Sequence, residues 1–284
     1  MTKPFLIYDL DSWVPKDKKI FILGAFESFH LGHYQLIKKG LELKKEKPEF
    51  ELVLVFFDNS SKFKSEKIFT DEKNKERILS TLPIDNGIKL VFEEVKNLSP
   101  QDFITKLTGT FSNFIFVSGP DFKFGKNAQK SLSQINEYLP NAFCEVVPFF
   151  KYKNVKISTS KLKELVEQGD VVFLNSLLYR DYSFTVKLLE NNEWSYIDNL
   201  VKLPNGIYPI EILVEDFLYY GVILINNECQ KIQLLDFKLD ESIKEVIIQV
   251  RGRFNLLHNG QYNIKDNDLK TIKEYFLDLF KISD

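Results

Sequence analysis

Two of the three histidines, His30 and His33, flank Leu31-Gly32 in the stretch Gly24-Ala25-Phe26-Glu27-Ser28-Phe29-His30-Leu31-Gly32-His33. Three residues apart, they share a face once helical, so both imidazoles can address one phosphorus. A helix start adds N–H groups without intrahelical partners and a positive dipole end, which together suit an anion such as a triphosphate. Either histidine alone would more simply be a half-buried residue satisfying backbone groups; the glycines and the position favour phosphate chemistry. A second chemical stretch is Ser118-Gly119-Pro120-Asp121-Phe122-Lys123-Phe124-Gly125-Lys126, a Gly/Pro loop with a carboxylate, lysines and aromatics. A third is Ile157-Ser158-Thr159-Ser160-Lys161-Leu162-Lys163, where hydroxyls and lysines gather at a helix start and can cap it or hold phosphate oxygens.

The elements that must position these stretches alternate. Apolar, β-branched or aromatic runs at 20–26, 52–57, 88–92, 114–118 and 144–150 read as strands. Helical patterns at 32–45, 71–81, 100–108 (opened by Ser99 as N-cap) and 126–138 lie between them. This β-α alternation predicts a doubly wound, mostly parallel sheet with helices on both faces. In such a sheet ligands bind beyond the carboxyl ends of the strands, where His30 and His33 fall. Helices are expected at 158–168, stopped by Gly169, and at 171–179. Past Arg180 the pattern changes to short strands at 186–189, 207–214, 218–225, 231–235 and 246–251, as in an antiparallel barrel or sandwich. An amphipathic helix at 266–280 follows, with Leu269, Ile272, Tyr275, Phe276 and Leu279 on one face. The domain boundary is expected near residue 183.

The 284 residues suffice for two modest domains, and 38 basic against 40 acidic residues give a net charge of −2. No global field attracts nucleic acid or an anionic membrane, so neither is an expected partner and any phosphate binding must be local. Residues 1–19 lack the apolar core of a signal peptide, and no apolar run is long enough to cross a bilayer. Cys144 and Cys229 are far apart in sequence, which fits free thiols in strands of a cytoplasmic protein better than a zinc site. Lysine far outnumbers arginine, which occurs only at 77, 180, 251 and 253, so lysine is expected where arginine would otherwise clamp a phosphate.

In this order the segments resemble the bacterial bifunctional riboflavin kinase/FAD synthetases over nearly the full chain. That family carries a G-x-F-D-G-x-H-x-G-H turn, a G-x-D-F-x-F-G loop and an I-S-S-T-x-x-R segment; the counterparts are residues 24–33, 119–125 and 157–163. Residues 98–103, 168–182 and 203–208 match as well. The resemblance implies a Rossmann-like nucleotidyltransferase domain at 1–183 and a kinase-like barrel at 184–284. It implies adenylyl transfer, in which FMN and MgATP give FAD and pyrophosphate. His30, His33 and Lys163, the last in place of the family's arginine, would carry the catalysis. Gly24, Ala25, Phe26, Gly32, Ser158, Thr159, Ser160 and Lys161 would complete the ATP site, with Asp121, Phe122, Phe124 and Asn59 toward the flavin.

The departures from the family pattern are specific. Glu27 and Ser28 replace Asp-Gly, and a side chain at position 28 restricts a turn that glycine leaves free. Asp58, Asn59 and Ser60 stand where the family has Pro-His-Pro. Nothing between Tyr182 and Leu203 matches the kinase segment G-R-x-L-G-x-P-T-A-N. In the run 231–237, Lys231 replaces the kinase's catalytic glutamate, and a cation cannot accept the riboflavin hydroxyl proton. Kinase activity is therefore expected to be lost. Other readings are a transferase with a different phosphorylated acceptor, or a flavin or nucleotide binder without catalysis. A class I aminoacyl-tRNA synthetase shares the histidine signature, but no basic anticodon-binding segment accompanies it here.

Overall fold

The computed structural model describes residues 5–59, 67–197, 199–214, 217–227, 229–238, 242–256 and 263–282. By contact the chain divides into two compact units, residues 1–66 with 76–157, and residues 67–75 with 158–284.

The first unit is built on six strands: β1 (Leu6–Asp9), β2 (Lys19–Leu23), β3 (Glu51–Phe57), β4 (Asn86–Leu90), β5 (Phe114–Ser118) and β8 (Phe143–Val146). They run in the order β1-β4-β3-β2-β5-β8, and every pairing is parallel. Strands β2 and β5 are buried at every position, as expected where helices cover both faces. From β2 the chain passes through α1 (Leu31–Glu46) to β3 on one side, and later returns to place β5 on the other. The carboxyl end of β2 is thus the point where strand order reverses, the position at which open α/β sheets bind ligands. After α2 (Glu72–Ser80) and the short α3 (Phe92–Val95), α4 (Pro100–Thr108) spans the expected residues, with the Ser99 hydroxyl capping the Asp102 N–H. The core below the sheet is aromatic, with Phe21 stacked between Phe114 and Phe116.

The sequence expectation of one helix over 126–138 is not met. A short antiparallel ribbon, β6 (Lys123–Phe124) with β7 (Lys130–Ser131), occupies its start. Asn127 and Ala128 close this ribbon with φ of 59° and 52°, a left-handed pair that breaks any α-helix. Ser131 and Gln134 then cap each other at the head of a separate 3₁₀ stretch, Leu132–Glu137. The strand expected at 144–150 ends at Val146, two residues before Pro148, which lacks the N–H a ladder needs. The hairpin β9 (Lys151–Tyr152) and β10 (Val155–Lys156) follows, and the first unit ends at Ile157.

The second unit contains α5 (Thr159–Gln168) and α6 (Val171–Leu177), with Gly169 in the left-handed cap position between them. Its sheet has the order β12 (Trp194–Tyr196), β11 (Ser183–Leu188), β16 (Glu245–Val250), β13 (Gly206–Val214), β14 (Phe217–Ile225), β15 (Gln230–Leu234), all antiparallel, with β17 (Asn255–Leu256) beside β13. A bridge between Glu193 and Lys231 joins the two ends, and the Trp194 indole donates to the Lys231 carbonyl at 3.2 Å. The sheet therefore curls into a nearly closed barrel. α7 (Asp266–Ile282) covers one face with Ile272 and Phe276 against Ile207, Val222 and Leu224.

Residues 67–75 belong to this barrel. Ile68 bridges Leu200, and the fully buried Asp71 accepts from the Thr185 N–H at 2.8 Å and its hydroxyl at 2.7 Å. Asn74 donates to the Ser183 carbonyl and hydroxyl.

Candidate active site

The β2 strand stops at Leu23, earlier than its apolar run suggests, and seven residues turn the chain into α1. His30 is the N-cap of α1, in extended backbone at φ −85° and ψ 169°. Its Nδ1 accepts the His33 N–H at 3.1 Å, the role a serine or aspartate ordinarily fills. That bond fixes the proton of the neutral ring on Nε2, leaving it a donor. Burial, then the neighbouring His33 and Lys156 charges, pushes the His30 pKa down to about 2, so this imidazole is neutral at physiological pH.

His33 has the opposite arrangement. Its Nδ1 lies 2.6 Å from the Ser28 carbonyl, an acceptor only, so Nδ1 carries the hydrogen. The two rings stack at 3.9 Å between centroids and 11° between planes. Gly32 permits this packing, since a Cβ there would stand 2.9 Å from Cε1 and Nδ1 of His30. Phe26 lies beneath, 1% exposed, its ring 4.7 Å from that of His33 and 5.8 Å from Phe29. Its φ of 48° makes it the left-handed residue of the turn. Ser28 is not among the left-handed residues, so the serine that replaces the family's glycine occupies ordinary backbone and its burial adds no backbone strain.

The second stretch leaves β5 at Ser118. Asp121 is exposed, and its carboxylate accepts from Lys156 Nζ at 2.9 Å, which also lies 3.8 Å above the Phe149 ring. Phe122 and Phe124 stack on each other at 6.3 Å and line a cleft of about 320 Å³ in the first unit. Phe57, Phe92, Val95 and Asn97 line it as well. Sequence reasoning missed these four; the signal for Phe57 is its place at the carboxyl end of a parallel strand. Asp121 and Asn59 are not among the lining residues. Lys156, sequence-adjacent to the third stretch, was also missed.

Within the second unit the third stretch behaves first as a helix start. The Ser158 hydroxyl accepts the Lys161 N–H at 3.4 Å, and Thr159 opens α5. Lys161 pairs with Glu164 at 2.8 Å, while Lys163 Nζ donates to the Lys67 carbonyl at 2.6 Å. Ser160 is exposed. His30, His33, Gly24, Ala25, Phe26 and Gly32 are therefore gathered in one turn, Phe122 and Phe124 in the cleft, and Ser158–Lys163 on α5. The third histidine, His258, lies outside the described residues. Among the described residues no helix is long and apolar enough to cross a membrane, and both cysteines are free.

The family model described as FAD synthetase matches residues 14–161. A bifunctional riboflavin kinase/FMN adenylyltransferase of Buchnera aphidicola (Schizaphis graminum strain) is 22% identical over 89% of this chain and 93% of its own. An FAD synthetase of Listeria monocytogenes is 23% identical over 68% of this chain and 82% of its own. A solved structure titled as a macrolide-efflux protein from Streptococcus pneumoniae superposes with a TM-score of 0.74 at 18% identity, covering 89% of this chain and all of that one. That last likeness speaks to the fold alone.

Proposed function

The chain belongs to the FAD synthetase family, and from that premise we propose that it is an FMN adenylyltransferase whose barrel no longer phosphorylates riboflavin. The observation that carries the proposal is the pair of stacked, oppositely hydrogen-bonded histidines at the start of α1, at the switch point of a parallel sheet. An FMN phosphate oxygen attacks the α-phosphorus of ATP, the bond from that phosphorus to the bridging oxygen breaks, and pyrophosphate leaves. Such transfer depends on in-line positioning and on neutralising charge at the transferred group. His30 offers its Nε2–H to the α-phosphate, and His33 meets the phosphates through Nε2. Gly24, Ala25, Phe26 and Gly32 shape the turn around the nucleotide. Ser158, Thr159, Ser160, Lys161 and Lys163 carry hydroxyls and charge of the kind a leaving pyrophosphate needs. Mg²⁺ enters with the substrate as MgATP, its coordination completed by phosphate oxygens and water.

The cleft beside Phe122 and Phe124 suits the flat, apolar side of a flavin, and Asn97 supplies a polar group in its lining, whereas Asp121 and Asn59 stand outside that lining. In this reading residues 1–183 carry the transferase sequence and 184–284 the kinase-like sequence, whereas the compact units divide after Ile157 and group 67–75 with the barrel. Lys231, in the second position of β15, supports the loss of phosphorylation because an ammonium cannot take a hydroxyl proton. Cytoplasmic residence, with nucleotides rather than nucleic acid or membrane as partners, completes the proposal. Incubation of the purified chain with FMN and MgATP should yield FAD and pyrophosphate, and with riboflavin and MgATP no FMN. Absence of FAD sinks the first half; steady accumulation of FMN from riboflavin sinks the second.

A further inference from the structure

The geometry points to Phe26 as the positioning residue of His33: its buried ring holds the imidazole with Nδ1 on the Ser28 carbonyl and Nε2 as the nitrogen presented to substrate. The inference rests on adenylyl transfer at this turn and adds to it a specific tautomer and the side chain that enforces it.

Three features combine. A phenylalanine in left-handed backbone is uncommon, because its Cβ crowds the following carbonyl oxygen. Such a conformation persists where surrounding packing over-determines it, and Phe26 is 1% exposed. Its position is set from the other side by Gly24, where a Cβ would stand 2.7 Å from Cε2 of Phe26. Its ring in turn lies 4.7 Å from the His33 ring at 38°, while His30 stacks on His33 at 3.9 Å. Backbone alone leaves an imidazole on a helix free to change its χ angles. With Phe26 and His30 packed against it, the His33 ring is held where Nδ1 reaches Ser28 at 2.6 Å.

The chemical consequence follows from the hydrogen inventory of histidine. With Nδ1–H committed to a carbonyl, Nε2 of His33 carries a lone pair in the neutral ring and becomes a phosphate donor on gaining a proton. His30 has the reverse assignment, Nδ1 accepting and Nε2 carrying hydrogen at all times. One donor is permanent, and the other is supplied with charge. Loosening the Phe26 ring removes this distinction by letting His33 rotate away from Ser28.

The test uses full-length protein with ¹⁵N-labelled histidine and compares the unmodified chain with Phe26→Leu, Gly24→Ala and Phe116→Leu. Phe26→Leu keeps most of the buried volume but not the flat face, and Gly24→Ala displaces the intact ring. Phe116→Leu loosens the same unit's core away from the turn. The neutral His33 ring of the unmodified chain should show hydrogen on Nδ1. Phe26→Leu and Gly24→Ala should shift it toward hydrogen on Nε2. Phe26→Leu should also lose roughly 10- to 100-fold in kcat, with KM for ATP changed less than about threefold, and Phe116→Leu should keep the native tautomer. An unchanged His33 signal in both turn variants overturns the inference, as does native kcat in Phe26→Leu with a shifted tautomer. A chain that makes no FAD at all defeats the adenylyl-transfer reading instead, while the labelled-histidine comparison still decides the positioning role.

Discussion

A histidine whose Nδ1 caps its own helix has one nitrogen left for substrate, and this divides the consequences of changing His30 in two. Asparagine keeps a capping oxygen at the δ position but cannot reach as far as Nε2. His30→Asn should therefore retain the fold and lose about 10²- to 10³-fold in kcat, as for removal of one preorganised donor, measured as FAD formed from FMN and MgATP. His30→Ala should lose the cap too, costing about 1 kcal/mol more in urea unfolding. Acid stability follows from the same burial. The folded-state pKa, lowered to about 2, lies below the ordinary value near 6.5, so the unfolded chain binds the proton first. The contribution is complete above about pH 6.5 and is eroded as pH falls toward about 2, by up to about 1.4 kcal/mol per pH unit. Urea titrations from pH 7 to 5 should show a shallower decline for His30→Asn than for the unmodified chain; parallel declines refute the buried neutral histidine. None of this was legible in the residue types. His-x-Gly-His announced phosphate chemistry, but which nitrogen faces which partner depends on the Ser28 carbonyl and on a left-handed Phe26.

At the scale of elements, the regular pieces were readable and the irregular ones were not. The Ser99-Pro100 start of α4, the Ser158 cap and the Gly169 stop of α5 were read directly, because each signal is local. The stretch 126–138 was misread because its helical periodicity competes with a left-handed Asn127-Ala128 turn and a Ser131 cap. β1 was missed altogether, since its four residues are partly exposed at a sheet edge and show no buried run. The misread stretch matters for function: the ribbon that replaces the helix lines the aromatic cleft. Gly125, at φ 77°, lets that ribbon pass α4, and a Cβ there would lie 2.6 Å from Cγ of Pro100. Gly125→Ala should raise KM for FMN by roughly tenfold, about 1.4 kcal/mol, and leave KM for ATP near its original value. Steady-state kinetics with each substrate varied separately checks this, and an effect confined to ATP would place the flavin elsewhere.

For the whole molecule, sequence alternation announced two architectures but not the early segment that belongs to the later one. Residues 67–75 carry Asp71, whose carboxylate holds both the N–H and the hydroxyl of Thr185 far along the chain. No periodicity advertises a buried aspartate serving a strand more than a hundred residues away. Asp71→Ala leaves those two donors without their acceptor and should cost about 3 kcal/mol, read as a lowered transition of the second unit on heating. An unchanged transition would make the aspartate dispensable.

That early segment also bears on synthesis and inheritance. The codons for 67–75 are read long before those for the barrel, so on the ribosome this piece must wait for strands not yet made. A gene that lost its 3′ half would strand it with no place to pack, and one that lost its 5′ half would produce a barrel missing part of its own wall. The barrel that carries Lys231 is thus tied into the coding sequence upstream of it, and a single cut between its two pieces leaves neither one whole.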